Sequence, residues 1–250
     1  MKRRLTGLAV AAFWLAAWQL LSMAIGQEIL MVSPVSTFLT LLRLMETPGF
    51  YLSVGNTFGR ILLGFLLALV LGAALGTVSH FLKGARLLLT PPMAAVKATP
   101  IASFVILALV WINSKNLSVF ISFLMALPLM YESVLCGLQS ADPKLLEMAD
   151  VFSVPGERRA RAIYVPAAAP YLLSAMRSAM GICWKSGVAA EVIAQPASSI
   201  GDALYRAKLF LATDELFAWT VAVVALSIAL EKLAVKSIDA LKRRLTGAAG

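Results

Sequence analysis

Six long apolar runs, separated by short polar segments, constrain this chain more than any other feature of its sequence. The runs cover residues 8–25, 61–79, 87–111, 117–138, 167–190 and 216–230. Because a helix needs about 20 mostly apolar residues to cross a bilayer, each run is a candidate membrane-spanning helix. Pro91, Pro92 and Pro100 lie in the third run and are expected to bend or delay that helix. The pattern predicts an all-α membrane protein with about six transmembrane helices.

Composition argues against the main soluble alternatives. The chain of 250 residues is 60% hydrophobic and 14% charged, whereas an average soluble domain has about 25% charged residues. A soluble enzyme and a disordered chain are therefore both disfavoured. The two cysteines, Cys136 and Cys183, lie in apolar runs and are expected to pack there without forming a disulfide scaffold. We divide the chain into an N-terminal helix with an outer segment (1–54), a main transmembrane domain (55–240) and a basic tail (241–250).

The formal net charge of +9 is explained by membrane topology and requires no nucleic acid partner. Lys and Arg concentrate in alternate loops, and loops rich in these residues stay in the cytoplasm. With the basic residues 2–4 inside, both termini are expected to be cytoplasmic, and residues 242–244 to anchor the tail at lipid headgroups. The first run is longer than the core of a secretory signal, which has about 7–15 residues, so we expect it to remain uncleaved.

Small residues recur at a spacing of four in the second apolar run. This spacing places all four on one helical face, where they let another helix approach closely. The pattern predicts a packing seam, within the chain or between chains, made by Gly64, Ala68, Gly72 and Gly76. Residues 34–45 are expected to form a short helix at the outer membrane surface.

The longest inner loop, residues 139–166, contains a second short helix. Asp142 is a favourable N-cap and Pro143 suits the first helical position, so residues 144–152 are predicted to be helical. Breaker residues end this helix near Ser153, and a basic patch follows at 157–161. A short helix between two membrane helices either docks in a groove on a soluble partner or is an ordinary interfacial loop.

The residues of this loop resemble the "EAA" loop of ABC importer permeases, which reads Glu-Ala-Ala, three residues, Gly, nine residues, then Ile-x-Leu-Pro. The spacing is intact here, with Met148 at the second position and Ser153 in place of Gly. Gly156, three residues later, is a candidate for supplying the turn that Gly usually makes. The resemblance assigns coupling to an ATPase to Glu147, Met148, Ala149, Ser153, Gly156, Ile163 and Pro166.

The resemblance extends over most of the chain, from about residue 55 to 244. Further matches lie at Gly59-Arg60 through Gly76, at residues 175–181, and at Ala190-Glu191 followed by Ser199-Ile200-Gly201. It is closest to the nitrate, sulfonate and taurine branch of type I importers. That branch implies a type I transmembrane (permease) domain in the inner membrane, a second permease copy, most simply a homodimer, and an extracytoplasmic solute-binding protein. It also implies a separate ATPase that holds ATP and Mg, because this chain has no phosphate-binding loop and no cofactor site of its own.

Five charged residues lie in or at the ends of the apolar runs: Lys97, Glu132, Arg177, Lys185 and Glu191. A charge at the bilayer centre costs about 2.5–3.5 kcal/mol, so each must face protein, water or a headgroup. In a functional interpretation some of them line the path of an anionic solute. In a structural interpretation they form ion pairs, such as Lys97 with Glu132, or extend to an interface.

Two other classes of protein remain to be compared with an importer permease. A secondary transporter or channel would also have about six helices with buried charges, but it would need no ATPase. A membrane enzyme is disfavoured because the chain has one histidine, His80, no cluster with metal-ligand spacing, and no nucleophile beside a base. His80 is expected to be a solvated side chain near an inner loop.

Overall fold

All regular secondary structure in the computed structural model is helical within the residues it describes, 2–247. The side chains of residues 2–5, 7, 8, 234 and 237–247 are not described. The predicted anchoring of residues 242–244 at lipid headgroups and the cytoplasmic position of residues 2–4 therefore lie outside the described side chains. The helices are α1 (Lys2–Ile25), α2 (Pro34–Met45), α3 (Pro48–Phe81), α4 (Lys83–Ala98), α5 (Ile101–Ala108), α6 (Ser114–Gln139), α7 (Pro143–Val151), α8 (Gly156–Arg159), α9 (Val165–Ala194), α10 (Ile200–Leu209) and α11 (Thr213–Gly247), with a π-helical turn over Ala160–Tyr164.

Helices occupy all six positions that the apolar runs predict. By length and composition α3, α6 and residues Thr213–Leu233 of α11 can each cross a membrane, and the α4–α5 pair can form a fourth, broken span. The apolar part of α1 is shorter, and α9 is 30 residues long but contains Arg177 and Lys185. The all-α fold is confirmed, whereas the number of six spans stays a prediction.

The third predicted span is broken at Pro100, one of the three prolines that were expected to bend or delay it. Pro91 and Pro92 lie inside α4, while α4 and α5 meet at an angle of 104° around Thr99 and Pro100. Thr99 is extended, with φ −82° and ψ 132°, because the ring of the following proline disfavours the helical conformation. The expected bend in the third run is therefore confirmed, and it lies at Pro100 and not at Pro91 or Pro92.

The core of the fold is the contact of α3 with α6 and of α6 with α9. A Cβ at Gly72 would lie 2.6 Å from the Cβ of Met130, and one at Gly76 would lie 2.7 Å from the carbonyl oxygen of Tyr131. The predicted seam thus lies within the chain, between α3 and α6. Ser122 of α6 lies beside Gly64 of α3 and also donates to the carbonyl oxygen of Cys183 in α9 at 3.3 Å. Cys183 is buried as expected, but Cys136 is exposed.

The seam makes a prediction with a control on the same helix. Gly64→Ala should destabilise the chain by about 2 kcal/mol or more, because its Cβ would meet the backbone carbonyl of Val119. Gly59→Ala should be neutral or stabilising by up to about 1 kcal/mol, since Gly59 has open space around it. Thermal unfolding of the purified variants measures both changes. Equal effects of the two substitutions would contradict the seam.

The short helix α2 forms at the predicted residues, 34–45. Ser33 caps it by accepting a hydrogen bond from the Ser36 amide at 3.1 Å. Thr40 of α2 donates to Asp214 at 3.1 Å, which joins α2 to the start of α11. In α1, the Trp18 ring nitrogen donates to the carbonyl oxygen of Val32 at 3.0 Å. The N-terminal segment therefore packs on the outside of the core.

Candidate coupling site and charged cavities

Helix α7 forms for the local reasons that its sequence predicts. The side chain of Asp142 accepts a hydrogen bond from the Lys144 amide at 2.9 Å, and Pro143 occupies the first turn. Both features satisfy or remove amides that would otherwise lack partners at the start of a helix. The predicted helix in the inner loop is therefore present, displaced by one residue.

A Schellman motif ends α7. The Val154 amide donates to the carbonyl oxygen of Ala149 at 2.9 Å, and the Ser153 amide donates to that of Asp150 at 3.0 Å. Ser153 has φ 51°, the left-handed conformation that glycine adopts most easily. Ser153 itself therefore makes the turn, and the proposal that Gly156 supplies it was wrong, since Gly156 begins α8 and has no positive φ.

We call the chain reversal over residues 149–154 the elbow. Ser153→Gly should stabilise the chain by about 1 kcal/mol, because it removes the steric cost of a side chain in the left-handed conformation. Ser140→Gly is the matched control at the same end of the bundle, since Ser140 has an ordinary φ of −81°. The thermal unfolding midpoint should rise for Ser153→Gly and stay level or fall for Ser140→Gly. A fall for Ser153→Gly would show that the hydroxyl group, and not the backbone, matters there.

Arg159 holds the elbow together, and sequence reasoning did not single it out beyond its basic patch. Its guanidinium lies 2.7 Å from the carboxylate of Asp150, and it also donates to the carbonyl oxygens of Ala149 and Val154 at 3.4 Å each. One side chain thereby joins the end of α7 to the segment that leads into α9. The close packing of Asp150 and Arg159 follows from the chain reversal and has no signal of its own in the sequence.

The same segment contacts α3. The ring of Tyr164, in the π-helical turn before α9, packs edge-on against His80 at 5.4 Å and Phe81 at 5.6 Å between ring centroids. His80 is therefore partly buried in an aromatic cluster, and its expected solvation was wrong. A displacement of α7 would reach both α9 and the end of α3 through these contacts.

The exposed surface of α7 combines charged side chains with large apolar ones. Val151 and Phe152 are 80% and 75% exposed, Met148 is half exposed, and Glu147 lies beside them on the surface. Ala149 is only 2% exposed and lies inside the elbow. Of the residues predicted to touch an ATPase, Ala149 is therefore unable to do so in this conformation. Ile163 is half-buried, and Ser153, Gly156 and Pro166 are exposed.

The opposite end of the bundle repeats the geometry of this elbow. Helix α10 follows α9, whose 30 residues span about 45 Å. The Ala212 amide donates to the carbonyl oxygen of Ala207 at 2.9 Å, and the Leu211 amide donates to that of Lys208 at 3.3 Å. Leu211 has φ 55°. Phe210, which corresponds to Phe152, is also 75% exposed.

Glu191 is a fully buried charge that joins three helices. Its carboxylate accepts a hydrogen bond from Thr57 of α3 at 2.7 Å and lies 3.2 Å from the guanidinium of Arg60, also in α3. The hydroxyl group of Thr57 accepts a hydrogen bond from the Ile200 amide at 3.0 Å, and the Gly201 amide lies 3.5 Å from the Glu191 carboxylate. The N-terminus of α10 thus faces the carboxylate, an arrangement that stabilises a negative charge.

Gly201 is required for this contact. A Cβ at Gly201 would overlap the backbone of α9 at Glu191 and Val192, so α10 could not approach as closely. The sequence matched Glu191 and Gly201 to one family element and Arg60 to another, and the structure brings the two elements together. Thr57 carried no sequence signal. The predicted role of Glu191 in a solute path stays a prediction, but its charge is already paired with Arg60.

Lys97 and Glu132 form the ion pair that the structural interpretation named. The ammonium group of Lys97 lies 2.9 Å from each carboxylate oxygen of Glu132. The pair lines a cavity of about 480 Å³ between α4 and α6, which also contains Arg86 and Cys136. Their side chains remain about half exposed on the isolated chain.

Helix α9 exposes four polar or charged side chains over its middle part. Ser174, Arg177, Ser178 and Lys185 are all exposed on the isolated chain. Exposing such groups to lipid is costly, so this face must contact water or protein. Arg177 and Lys185 line a second charged cavity with Glu231 of α11.

Comparison with known families decides what kind of protein carries these features. Residues 64–247 match the family described as "binding-protein-dependent transport system inner membrane component". The chain belongs to this family. It is therefore an inner-membrane permease subunit, and the residues matched include the seam, the loop with α7, and Glu191 itself.

Relatives of the permease support the same class. A Bacillus subtilis (strain 168) protein named as an aliphatic sulfonates transport permease is 27% identical over 85% of this chain and 77% of its own length. The taurine transport system permease protein of Escherichia coli (strain K12) is 28% identical over 75% of this chain and 66% of its own length. A bacterial ABC transporter involved in the import of the acidic polysaccharide alginate has the same fold. The two chains have a TM-score of 0.62 and 16% identity, and the match covers 95% of this chain and 96% of that one.

Proposed function

We propose that this permease is a subunit of an ATP-driven importer and that a separate ATPase subunit binds the exposed face of α7. The observation that carries the proposal is that exposed apolar side chains of α7 lie next to an elbow in contact with the segment before α9, which in turn packs on α3. Met148, Val151 and Phe152 are exposed there, and no side chain among the residues that the structure describes covers them. An apolar helical face of this kind fits a hydrophobic groove on a partner.

The geometry also suits the transmission of motion. Arg159 bonds to the end of α7, and Tyr164, just before α9, packs on the end of α3. A shift of α7 would therefore disturb both α9 and α3. A partner that closes on hydrolysing or binding ATP would therefore move the core helices. We place the α7 end in the cytoplasm, in agreement with the distribution of basic residues.

We assign the contact with the solute-binding protein to the α10 end. Leu209, Phe210 and Leu211 are exposed there, and the Schellman motif holds them in a fixed position. The Glu191 contact holds the N-terminus of α10 against α3 and α9. The family description itself names dependence on a binding protein.

A second copy of the permease completes the solute path. The polar face of α9 and the cavity with Lys97 and Glu132 are exposed on one chain, and lipid is an unfavourable neighbour for both. Two copies facing one another would enclose these groups around an aqueous path. A homodimer is the simplest arrangement.

The solute class follows from the charges and from the relatives. Among the five predicted path residues, Glu191 is already neutralised by Arg60. The other four comprise one acidic residue, Glu132, and three basic ones, Lys97, Arg177 and Lys185. The relatives are named for aliphatic sulfonates and taurine. We propose a small anion of the sulfonate or nitrate kind as the solute.

The test is purification of the tagged permease from its native membrane, followed by measurement of ATP hydrolysis and of solute uptake in proteoliposomes. Co-purification of an ATPase whose activity rises with an added binding protein, and uptake that requires ATP, are expected. Uptake driven by an ion gradient, in a preparation without an ATPase, would overturn the proposal and favour a secondary transporter. Uptake of a neutral solute alone would overturn the assigned solute class.

A further inference from the structure

One continuous helical stretch joins the elbow to the core, and a π-helical turn interrupts its regular geometry. Residues 156–194 are helical throughout, as α8, the π-helical turn over Ala160–Tyr164, and α9. The Val165 amide donates to the carbonyl oxygen of Ala160, five residues earlier, whereas the hydrogen bonds of an α-helix join residues four apart. This turn of the helix therefore holds one residue more than a regular turn.

The extra residue decides which way Arg159 faces relative to Tyr164. These two residues are five apart, so in a regular α-helix they would differ by about 140° around the axis, at 3.6 residues per turn. In a π-helical turn, residues five apart lie nearly one above the other, because the hydrogen bonds join residues at that spacing. The turn therefore brings Arg159 and Tyr164 to nearly the same side of the helix.

Each of these two side chains contacts a different helix. The guanidinium of Arg159 lies 2.7 Å from the carboxylate of Asp150 in α7, and the ring of Tyr164 packs against His80 of α3, with the ring centroids 5.4 Å apart. One turn after Tyr164, the backbone of Ala168 lies against α6, next to a glycine whose Cβ would come within 2.7 Å of it. With the face of α9 fixed in this way on α3 and α6, a regular α-helix would turn Arg159 away from α7.

Pro166 favours the wider turn. It has no amide hydrogen, and in a continuous α-helix its ring would collide with the carbonyl group of Ala162, four residues earlier. A wider turn before the proline separates these two groups. The segment before Pro170 is α-helical, so Pro166 acts together with the contacts of Arg159 and Tyr164 and not through its ring alone.

We propose that the π-helical turn is the element that positions Arg159 and Tyr164 for coupling, and that Pro166 keeps it from relaxing into a regular α-helix. The proposal rests on the importer function proposed above. With the turn in place, a displacement of α7 passes through Arg159 to Tyr164 and on to α3 along one side of the helix. If the turn closed to a regular α-helix, the two contacts would point to different sides, and one of them would be lost.

The distance between α7 and α3 tests the proposal in the permease alone. Lys144 of α7 and Thr77 of α3 are both exposed, so Lys144→Cys and Thr77→Cys can each carry a spin label. Electron paramagnetic resonance then measures the distance between the labels in nanodiscs, with the exposed Cys136 replaced by Ser and the buried Cys183 left in place. Pro166→Ala should shift or broaden this distance by several ångströms, because the segment before the turn rotates.

Two further variants separate this positioning role from a general effect of proline. Pro170→Ala removes a proline from the same helix and should leave the distance unchanged. Deletion of Ala162 together with Pro166→Ala gives an α-helix in which Arg159 and Tyr164 are four residues apart, about 40° around the axis. This combined variant should return the distance to that of the labelled chain without either change.

Uptake gives a second readout, in proteoliposomes that contain the ATPase. The amount of solute taken up per ATP hydrolysed should fall severalfold in Pro166→Ala, stay level in Pro170→Ala, and recover in the combined variant. An unchanged distance in Pro166→Ala, an equal change in Pro170→Ala, or a combined variant that does not recover would overturn the proposal. A Pro166→Ala chain that fails to fold, and that deletion of Ala162 does not rescue, would overturn it as well.

The distance measurement needs neither the ATPase nor a solute. The proposed positioning role can therefore fail while ATP-driven uptake by the unmodified chain stands. It can equally hold in a chain that proves to work without an ATPase.

Discussion

Phe152→Ala is expected to weaken the binding of the ATPase subunit about 30-fold, which corresponds to about 2 kcal/mol for the truncation of a central aromatic residue. Phe152 is 75% exposed at the end of α7, and the Schellman motif through Ser153 holds its backbone in place. Removal of the ring leaves the elbow intact because Arg159 bonds to backbone carbonyls and to Asp150. The chain should therefore stay folded in the membrane while uptake driven by ATP is lost.

Phe210→Ala is the matched control. Phe210 is also 75% exposed and also ends a short helix with a Schellman motif, but it lies at the opposite end of the bundle. The affinity of detergent-solubilised permease for the ATPase should fall for Phe152→Ala alone, and its affinity for the binding protein should fall for Phe210→Ala alone. If both variants lost the same partner, or neither lost any, the assignment of the two ends would be wrong.

Glu191→Ala is expected to destabilise the permease by about 3–5 kcal/mol, because it leaves the guanidinium of Arg60 with no counterion in a mostly buried position. It also removes the acceptor for Thr57 and the negative charge at the N-terminus of α10. The thermal unfolding midpoint and the fraction of monodisperse protein after solubilisation would measure the loss. Glu191→Gln keeps the shape and one acceptor, so its effect should be smaller.

A double substitution separates the ion pair from packing. Replacing a buried ion pair by apolar residues of similar volume is often neutral, so Arg60→Met with Glu191→Met should recover much of the stability lost in Glu191→Ala. Arg60→Met alone should be harmful, because it leaves Glu191 buried and charged. Additive effects of the two single substitutions would contradict a direct coupling between these side chains.

The features that the sequence predicted correctly are those that depend on neighbours along the chain. The positions of the apolar helices, the cap of α7 by Asp142 and Pro143, and the seam over residues 64–76 all follow from spacing within one segment. Helical periodicity and capping are local properties, so no knowledge of distant contacts was needed. The resemblance to importer permeases rested on spacing in the same way.

The features that it missed depend on which distant segments meet. Ser153 makes the turn that Gly156 was expected to make, and Ala149 is buried because the chain reverses beneath it. The charge of Glu191 is paired with Arg60, more than a hundred residues earlier in the chain. No periodicity within either segment indicates that pairing.

The sequence by itself therefore determined the class of protein, the order of its helices, the small-residue face of α3 and the location of the loop that contains α7. Only the tertiary structure decided which charges neutralise one another and which side chains of α7 are buried and which are exposed. The physical reason is that apolar periodicity and capping act within a few residues. Pairing of charges and burial of side chains require helices that are distant in sequence to come within 3 to 4 Å, about the range of a hydrogen bond or ion pair.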